Sequence, residues 1–288
     1  MIRRTAHAKI NLALHVTGQR ADGYHLLDTL VAFAEYGDVI EVSKPHHAHG
    51  PIEFMIDGPF SEGLTSGPEN LVTSAAFLLR EAVLNSGLEP APVSIVLTKN
   101  LPVASGIGGG SADAAAALLA LQEYWGSAVD LEKIALGLGA DVPMCLCNKP
   151  LRAQGIGEEI TLLESAESLS LVLVNPGVEV STPEIFKALP NKENSAISMT
   201  SNEAFPALDI LRSETRNDLE TPAKEISPEI TKVLEAIEAE HAQLSRMSGS
   251  GATCFGVFAT PEAAISGSEN IIREHPNWWC VATQTTLT

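Results

Sequence analysis

The chain has 288 residues, 45% hydrophobic and 19% charged. That balance gives enough apolar surface to offset the entropy of ordering and excludes disorder along the whole length. Its 18 Lys and Arg against 36 Asp and Glu leave a net charge of −18, and nothing in it resembles the basic stripe of a duplex binder, which excludes nucleic acid as a partner. Such acidity also repels phosphorylated ligands at long range, so a phosphate site must rest on local donors, a few cations and a metal ion.

The N-terminal MIRRTAHAKINLALHV carries two arginines, but its apolar residues alternate with polar ones, unlike a secretory signal. No apolar run approaches the ~18–20 residues that span a bilayer. These features predict a cytoplasmic protein without a membrane partner. In residues 8–17, Ile10, Leu12, Leu14 and Val16 face one way and Lys9, Asn11, Ala13 and His15 the other, which predicts a half-buried strand. GQRADGY (18–24) reads as a turn, and 28–42 hold a second β-rich stretch. His46, His47 and His49 lie between Pro45 and Gly50 with no Cys or carboxylate among them, which favours a solvated loop over a metal site.

Asn70 to Leu84 sets Leu71, Ala75, Leu78, Leu79 and Val83 at helical spacing, and 92–97 predict a strand. Residues 101–125, LPVASGIGGGSADAAAALLALQEYW, run from a glycine-rich loop into an Ala/Leu helix. Leu131 to Leu138 predict a helix closed by Gly139, and 169–174 a buried strand. Thr182-Pro183-Glu184 opens a helix, with a capping hydroxyl followed by proline. A polar loop over 190–204, a helix over 228–244 and a second glycine-rich turn entering a strand over 246–258 complete the pattern. Cys145 and Cys147 would share one face of a strand, but no second close pair completes a zinc site, so these two with Cys254 and Cys280 read as buried reduced thiols. A boundary near 150–165 divides the chain into 1–160 and 161–288.

Gly106, Gly108, Gly109 and Gly110 precede Ser111 and an unbroken helix. Glycines let backbone N–H groups converge, and a helix's first turn adds unpaired donors and a positive dipole end. The combination is an anion seat suited to a nucleotide di- or triphosphate. Ser111 either caps the helix or gives its hydroxyl to Mg²⁺. No Lys follows the glycines, and their spacing is not that of the dinucleotide fingerprint.

PVASGIGGGSADAA (102–115) resembles the ATP-binding motif of the GHMP kinases. AKINLALHVTGQRADGYHLLDTL (8–30), LGADVPMCL (138–146), NPGVEVSTPEIF (175–186) and RMSGSGATCFGVF (246–258) are similar to motifs of the 4-diphosphocytidyl-2-C-methyl-D-erythritol kinase family within that superfamily. Ala112 stands where that family often has a second Ser. The resemblance implies an α+β fold in two subdomains, the N-terminal one ribosomal-protein-S5-like and the C-terminal one ferredoxin-like. It implies ATP- and Mg²⁺-dependent phosphorylation of the 2-hydroxyl of 4-(cytidine 5′-diphospho)-2-C-methyl-D-erythritol (CDP-methylerythritol), on the non-mevalonate route to isoprenoid precursors.

The resemblance also implies roles. Pro102, Val103, Ala104, Ser105, Gly106, Ile107, Gly108, Gly109, Gly110, Ser111 and Ala112 line the ATP phosphates, with Asn70 and Lys99 on the adenine or ribose side. Asp141 takes the proton of the attacking hydroxyl, although it equally suits a helix N-cap ahead of Pro143. Lys9 keeps Asp141 ionised and offsets charge on the transferring group. Asn11, on the same strand face, hydrogen-bonds the substrate. Tyr24 and Phe186 sandwich the cytosine, His25 reads its edge, and Thr182 and Pro183 line the same pocket; Phe186 equally suits a core position. Ser248, Gly249, Ser250 and Gly251 suit both a second backbone nest near the substrate and a tight strand-entry turn. Two rivals remain at this level: a superfamily kinase for mevalonate, homoserine or a sugar, and a regulatory protein that binds nucleotide without turnover.

Overall fold

The computed structural model describes residues 1–45, 50–164, 167–199 and 204–286; His46, His47 and His49 lie outside them. It separates into two compact units, Met1–Ala8 with Tyr36–Val103 and Gly108–Cys147, and Lys9–Glu35 with Ala104–Ile107 and the chain from Asn148 onward. Strands β1 (Ile2–Gln19) and β2 (His25–Ser43), which pair with each other, contribute to both.

In the first unit, β3 (Ile52–Asp57) precedes helix α1 (Leu71–Asn85) and β4 (Val93–Thr98). β3 runs parallel to β4 and the end of β2 antiparallel to it, with Val39 opposite Thr98. Then come α2 (Gly109–Trp125), α3 (Glu132–Leu138) and α4 (Val142–Cys147). Ala112, Ala114 to Leu118, Ala120 and Leu121 are all buried, because α2 packs against both α1 and α4. A helix that is apolar nearly all round belongs inside, and alanine lets its neighbours approach closely. Gly126 ends it in the left-handed region (φ +61°).

In the second unit, β5 (Leu151–Gly155) pairs antiparallel with β2 over Leu27–Val31 and with β6 (Glu159–Leu162). β7 (Ser170–Asn175), α5 (Thr182–Ala188), α6 (Leu208–Glu214), α7 (Glu220–Ile226), α8 (Glu229–Ala239), β8 (Leu244–Met247), β9 (Cys254–Phe258), α9 (Pro261–Glu274) and β10 (Trp279–Gln284) follow. Strands β10-β7-β9-β8 form an antiparallel sheet. Ile230, Val233, Leu234 and Ile237 of α8 form a stripe in one core with Val172, Val174 and Phe258. Each such side chain contributes roughly 1.5–3 kcal/mol by leaving water.

The α+β class is the one the sequence predicts, with several local differences. Residues 9–16 are buried or nearly so on both faces, not half-exposed, since the polar side chains find partners inside. Leu78 is 43% exposed despite its helical spacing. The helix predicted over 228–244 stops at Ala239, where His241 turns left-handed (φ +62°) and Leu244 opens a strand. Cys145 and Cys147 sit on a helix rather than a strand. None of the four cysteines forms a disulfide, but Cys147 and Cys280 are only half-buried. The loop after α5 is irregular yet pinned. Asn194 donates to Val16 O from its main-chain N (3.1 Å) and its side chain (3.0 Å). Ile197 N donates to Asp28 Oδ2 (2.8 Å), and Arg152 forks onto the same carboxylate with two 2.7 Å bonds.

Candidate functional site

The glycine-rich segment is shaped by close main-chain packing at one end and a helix start at the other. In the second unit, Ser248 Oγ donates to Gly106 O (3.0 Å) and accepts from Asn11 N (3.1 Å). Thr253 N donates to Ser105 O (3.1 Å) and Lys9 N to Ile107 O (2.9 Å). Gly106 has φ +76°, and a Cβ there would stand 2.5 Å from Ser248 O; a Cβ on Gly249 (φ +55°) would stand 2.7 Å from Gly106 O. The turn between β8 and β9 thus interlocks with the loop, and neither glycine tolerates a side chain.

In the first unit, Gly108 is the N-cap of α2, left-handed at φ +64°. Ser111 therefore lies at the third helical position and does not cap the helix, which removes one of its two predicted roles. The first intrahelical bond runs from Ala112 N to Gly108 O (2.9 Å). The N–H groups of Gly109, Gly110 and Ser111 have no acceptor within the helix, and the dipole's positive end lies there too. This is a ready anion seat.

Lys99 has a different place from the nucleotide contact that the resemblance implies. Its ammonium is buried between Asp38 Oδ2 and Asp113 Oδ2, the latter at 2.8 Å. Burial works against its charge, but the Asp113 and Asp38 carboxylates outweigh it and hold its pKa above the ordinary value. Burial pushes the Asp113 carboxyl up to about 8, against the pull of Lys99 and with Asp38 adding to the push. Asn70 caps α1: Oδ1 accepts from Val72 N (2.9 Å) and Nδ2 donates to Thr65 O (3.0 Å), so its amide is occupied locally.

Lys9, 5% exposed, belongs to the second unit; Asp141, half-buried, belongs to the first. Asp141 sits in the turn before α4, and its carbonyl accepts the helix's opening bond from Cys145 N (3.1 Å). That is an N-cap position. Asn11 is buried, with Nδ2 donating to Thr29 Oγ1 (2.8 Å), whose hydroxyl passes its own proton to Ala13 O (2.6 Å).

His25 and Phe186 meet face to face, centroids 4.6 Å apart and planes 25° off parallel. No third ring fits between them. His25 Nε2 is buried without a hydrogen-bond partner, and burial, with Lys192 nearby, lowers its pKa and keeps the ring neutral. A ring nitrogen left without a hydrogen-bond partner is an edge that a ligand can satisfy. Tyr24 is 62% exposed on the preceding turn. Thr182 was expected to cap α5, but Ser181 is the N-cap and the Thr182 hydroxyl lies 2.7 Å from Ser250 Oγ. That bond ties α5 to the β8–β9 turn; Pro183 is exposed at the second helical position.

Sequence reading passed over Asp38, Asp113 and Thr29. Asp113 did leave a signal, a carboxylate followed by an unbroken run of Ala and Leu from Ala114 to Leu121. Among the described residues no group of three or more His, Cys, Asp or Glu could hold a metal ion, and no helix is long and apolar enough to cross a membrane.

The family model described as GHMP kinases N terminal domain matches residues 70–149, and that described as GHMP kinases C terminal matches 203–277. A 4-diphosphocytidyl-2-C-methyl-D-erythritol kinase of Agrobacterium fabrum is 50% identical, with 97% of this chain and 95% of that protein covered. A solved 4-(cytidine 5′-diphospho)-2C-methyl-D-erythritol kinase superposes with TM-score 0.83 at 34% identity, covering 99% of this chain and all of its own. The homoserine kinase of Cytophaga hutchinsonii has TM-score 0.68 at 17% identity, over 99% of this chain and 94% of its own, a likeness of fold.

Proposed function

The chain belongs to the GHMP kinases and, within them, to the 4-diphosphocytidyl-2-C-methyl-D-erythritol kinases, and from that membership we propose its reaction: transfer of the γ-phosphoryl group of ATP to the 2-hydroxyl of CDP-methylerythritol. The product feeds isoprenoid precursor synthesis by the non-mevalonate route. The observation that carries the reading is the mouth of α2, where a left-handed Gly108 leaves the amides of Gly109 to Ser111 without helical acceptors.

In this reading Pro102 to Ala112 line the phosphates. Asp141 orients the acceptor hydroxyl and takes its proton, and Lys9 offsets charge on the moving phosphoryl group. Asn11, its Nδ2 held by Thr29, turns its carbonyl oxygen to the substrate. Tyr24 stacks on the cytosine and His25 Nε2 meets its polar edge, while Phe186 lines the same pocket by stacking on the His25 ring. Thr182 and Pro183 line that pocket, and Asn70 borders the adenine side. Ser111 would offer Mg²⁺ a hard hydroxyl oxygen, and the phosphates would supply other ligands, since the described residues hold no carboxylate cage. When bound, Mg²⁺ neutralises phosphate charge.

Four cysteines that form no disulfide support a reducing, cytoplasmic setting, and the charge of −18 supports small molecules rather than nucleic acid as partners. A division at residue 160 leaves both family-model matches whole, which favours family domains of 1–160 and 161–288, although 9–35, 104–107 and 148–160 pack into the same compact unit as the later residues. The test is incubation with ATP and, separately, CDP-methylerythritol, mevalonate and homoserine, read by mass spectrometry. Only the cytidine compound should gain about 80 Da, the mass of a phosphoryl group. Gain on mevalonate or homoserine alone transfers the protein to a sister activity, and no gain on any leaves a nucleotide binder.

A further inference from the structure

Lys99 stands where β4 gives way to the glycine-rich segment, and its main chain is fixed from both sides. Its N–H donates to Asp57 O (2.7 Å) and its carbonyl accepts from Phe60 N (3.1 Å). Gly58 packs so tightly that a Cβ there would lie 2.6 Å from Lys99 N. The ammonium bridges Asp38 and Asp113, and all three side chains are 5% exposed or less. Asp38 Oδ1 in turn accepts from Asn100 N (2.6 Å) and Leu101 N (2.8 Å), the residues that lead into Pro102. Asp113 lies four residues after Gly109, on the same side of α2. A Cβ on Gly109 would meet Lys99 Nζ at 3.0 Å.

The cluster therefore grips both shoulders of the loop. On the strand side, Asp38 orients two successive amides. On the helix side, Asp113 draws the first turn of α2 onto the ammonium beneath Gly109. Stability alone is a poor account of it, because burying three ionisable groups is expensive and a well-packed apolar trio of the same volume often does as well or better. Apolar side chains lack one capacity that this trio has: they cannot fix the direction of peptide groups. We propose that Lys99, Asp38 and Asp113 are positioning residues for phosphoryl transfer, which hold the amides of Gly109 to Ser111 in the orientation a triphosphate requires.

The inference rests on the ATP reading of the loop, so wild-type ATP turnover is measured first; its absence overturns that reading and this one together. The informative variant is Asp113→Asn, assayed at pH 9, above the value of about 8 at which the wild-type carboxyl ionises; it keeps the side chain's size and an acceptor for Lys99 but lacks the charge that pulls the helix start inward. Its KM for ATP should rise roughly ten- to hundredfold, the scale of a small misplacement, while its KM for CDP-methylerythritol and its melting temperature stay near wild type. Hydrogen exchange at Gly108 to Ala112 should quicken. Unchanged values of both KM, or both rising together with a fall in melting temperature, mark the cluster as structural and overturn the proposal, even with an active wild type. Should Asp113→Asn fail to fold, Lys99→Arg carries the same comparison, since it keeps the charge and both carboxylate partners but crowds Gly109.

Discussion

His15 is held by main-chain groups from two distant segments. Its Nδ1 lies 2.9 Å from Ser195 O, and its Nε2 accepts from Arg216 N at 3.2 Å. Only the neutral ring with its proton on Nδ1 satisfies both. Burial lowers its pKa below 6.5, and this outweighs the Ser195 carbonyl, which favours the charged form. The unfolded chain therefore takes up a proton first as pH falls. Stability should be fully present above about pH 6.5 and decline as pH drops from there towards the folded pKa. Melting temperature from pH 7.5 to 5.5 should fall more steeply in the wild type than in His15→Gln; parallel curves would refute the assignment. The same face of β1 carries Lys9. Asp141→Asn and Lys9→Ala should each lower kcat by about 10²–10⁴-fold with the fold intact by circular dichroism. Near-normal turnover in either purified variant removes that residue from the chemistry. Alternation along 8–17 already showed which residues share this face. It could not show that the face is covered, because the partners lie some 180 to 200 residues away in sequence.

The periodic, glycine-marked or proline-marked elements were legible: α1, α2 and the 182–188 helix stand close to where the sequence puts them, and β1 contains the strand read over 8–17 but begins at Ile2. The short elements α6, α7 and β10 carry too few residues for a period to show, and α9 is broken up by Ser266, Gly267 and Ser268. Glycines were read as loops, yet Gly256 lies inside a strand. A Cβ there would stand 2.5 Å from Ile237 Cγ2 and 3.0 Å from Phe258 Cε2. Its role is to let α8 settle onto β9, and only three-dimensional packing reveals that. Gly256→Ala should cost about 1–3 kcal/mol by overpacking. Ile237→Ala should cost about 2–5 kcal/mol by leaving a cavity. Because the second change opens the space that the first fills, the double variant should be more stable than the sum of the two losses allows. Urea denaturation of the four proteins decides it; strict additivity would mean that the methyl group is accommodated elsewhere.

At the scale of the molecule, a charge of −18 and a substrate pair carrying several phosphates set long-range and short-range electrostatics against each other. The acidic surface repels ATP from afar, whereas the amides at the α2 mouth attract it only at contact. Salt separates the two. The screening length falls from ~30 Å at 0.01 M to ~8 Å at 0.15 M, so added salt hides distant carboxylates long before it weakens donors touching a phosphate. The ratio kcat/KM for ATP should therefore rise as KCl is added up to about 0.15 M, and fall only at higher concentrations as contact terms are screened. A basic phosphate-binding protein shows a fall from the first addition. If this kinase did the same, its ATP would be steered by a local positive field that the net charge conceals, and Lys9 would be the first place to look for its source.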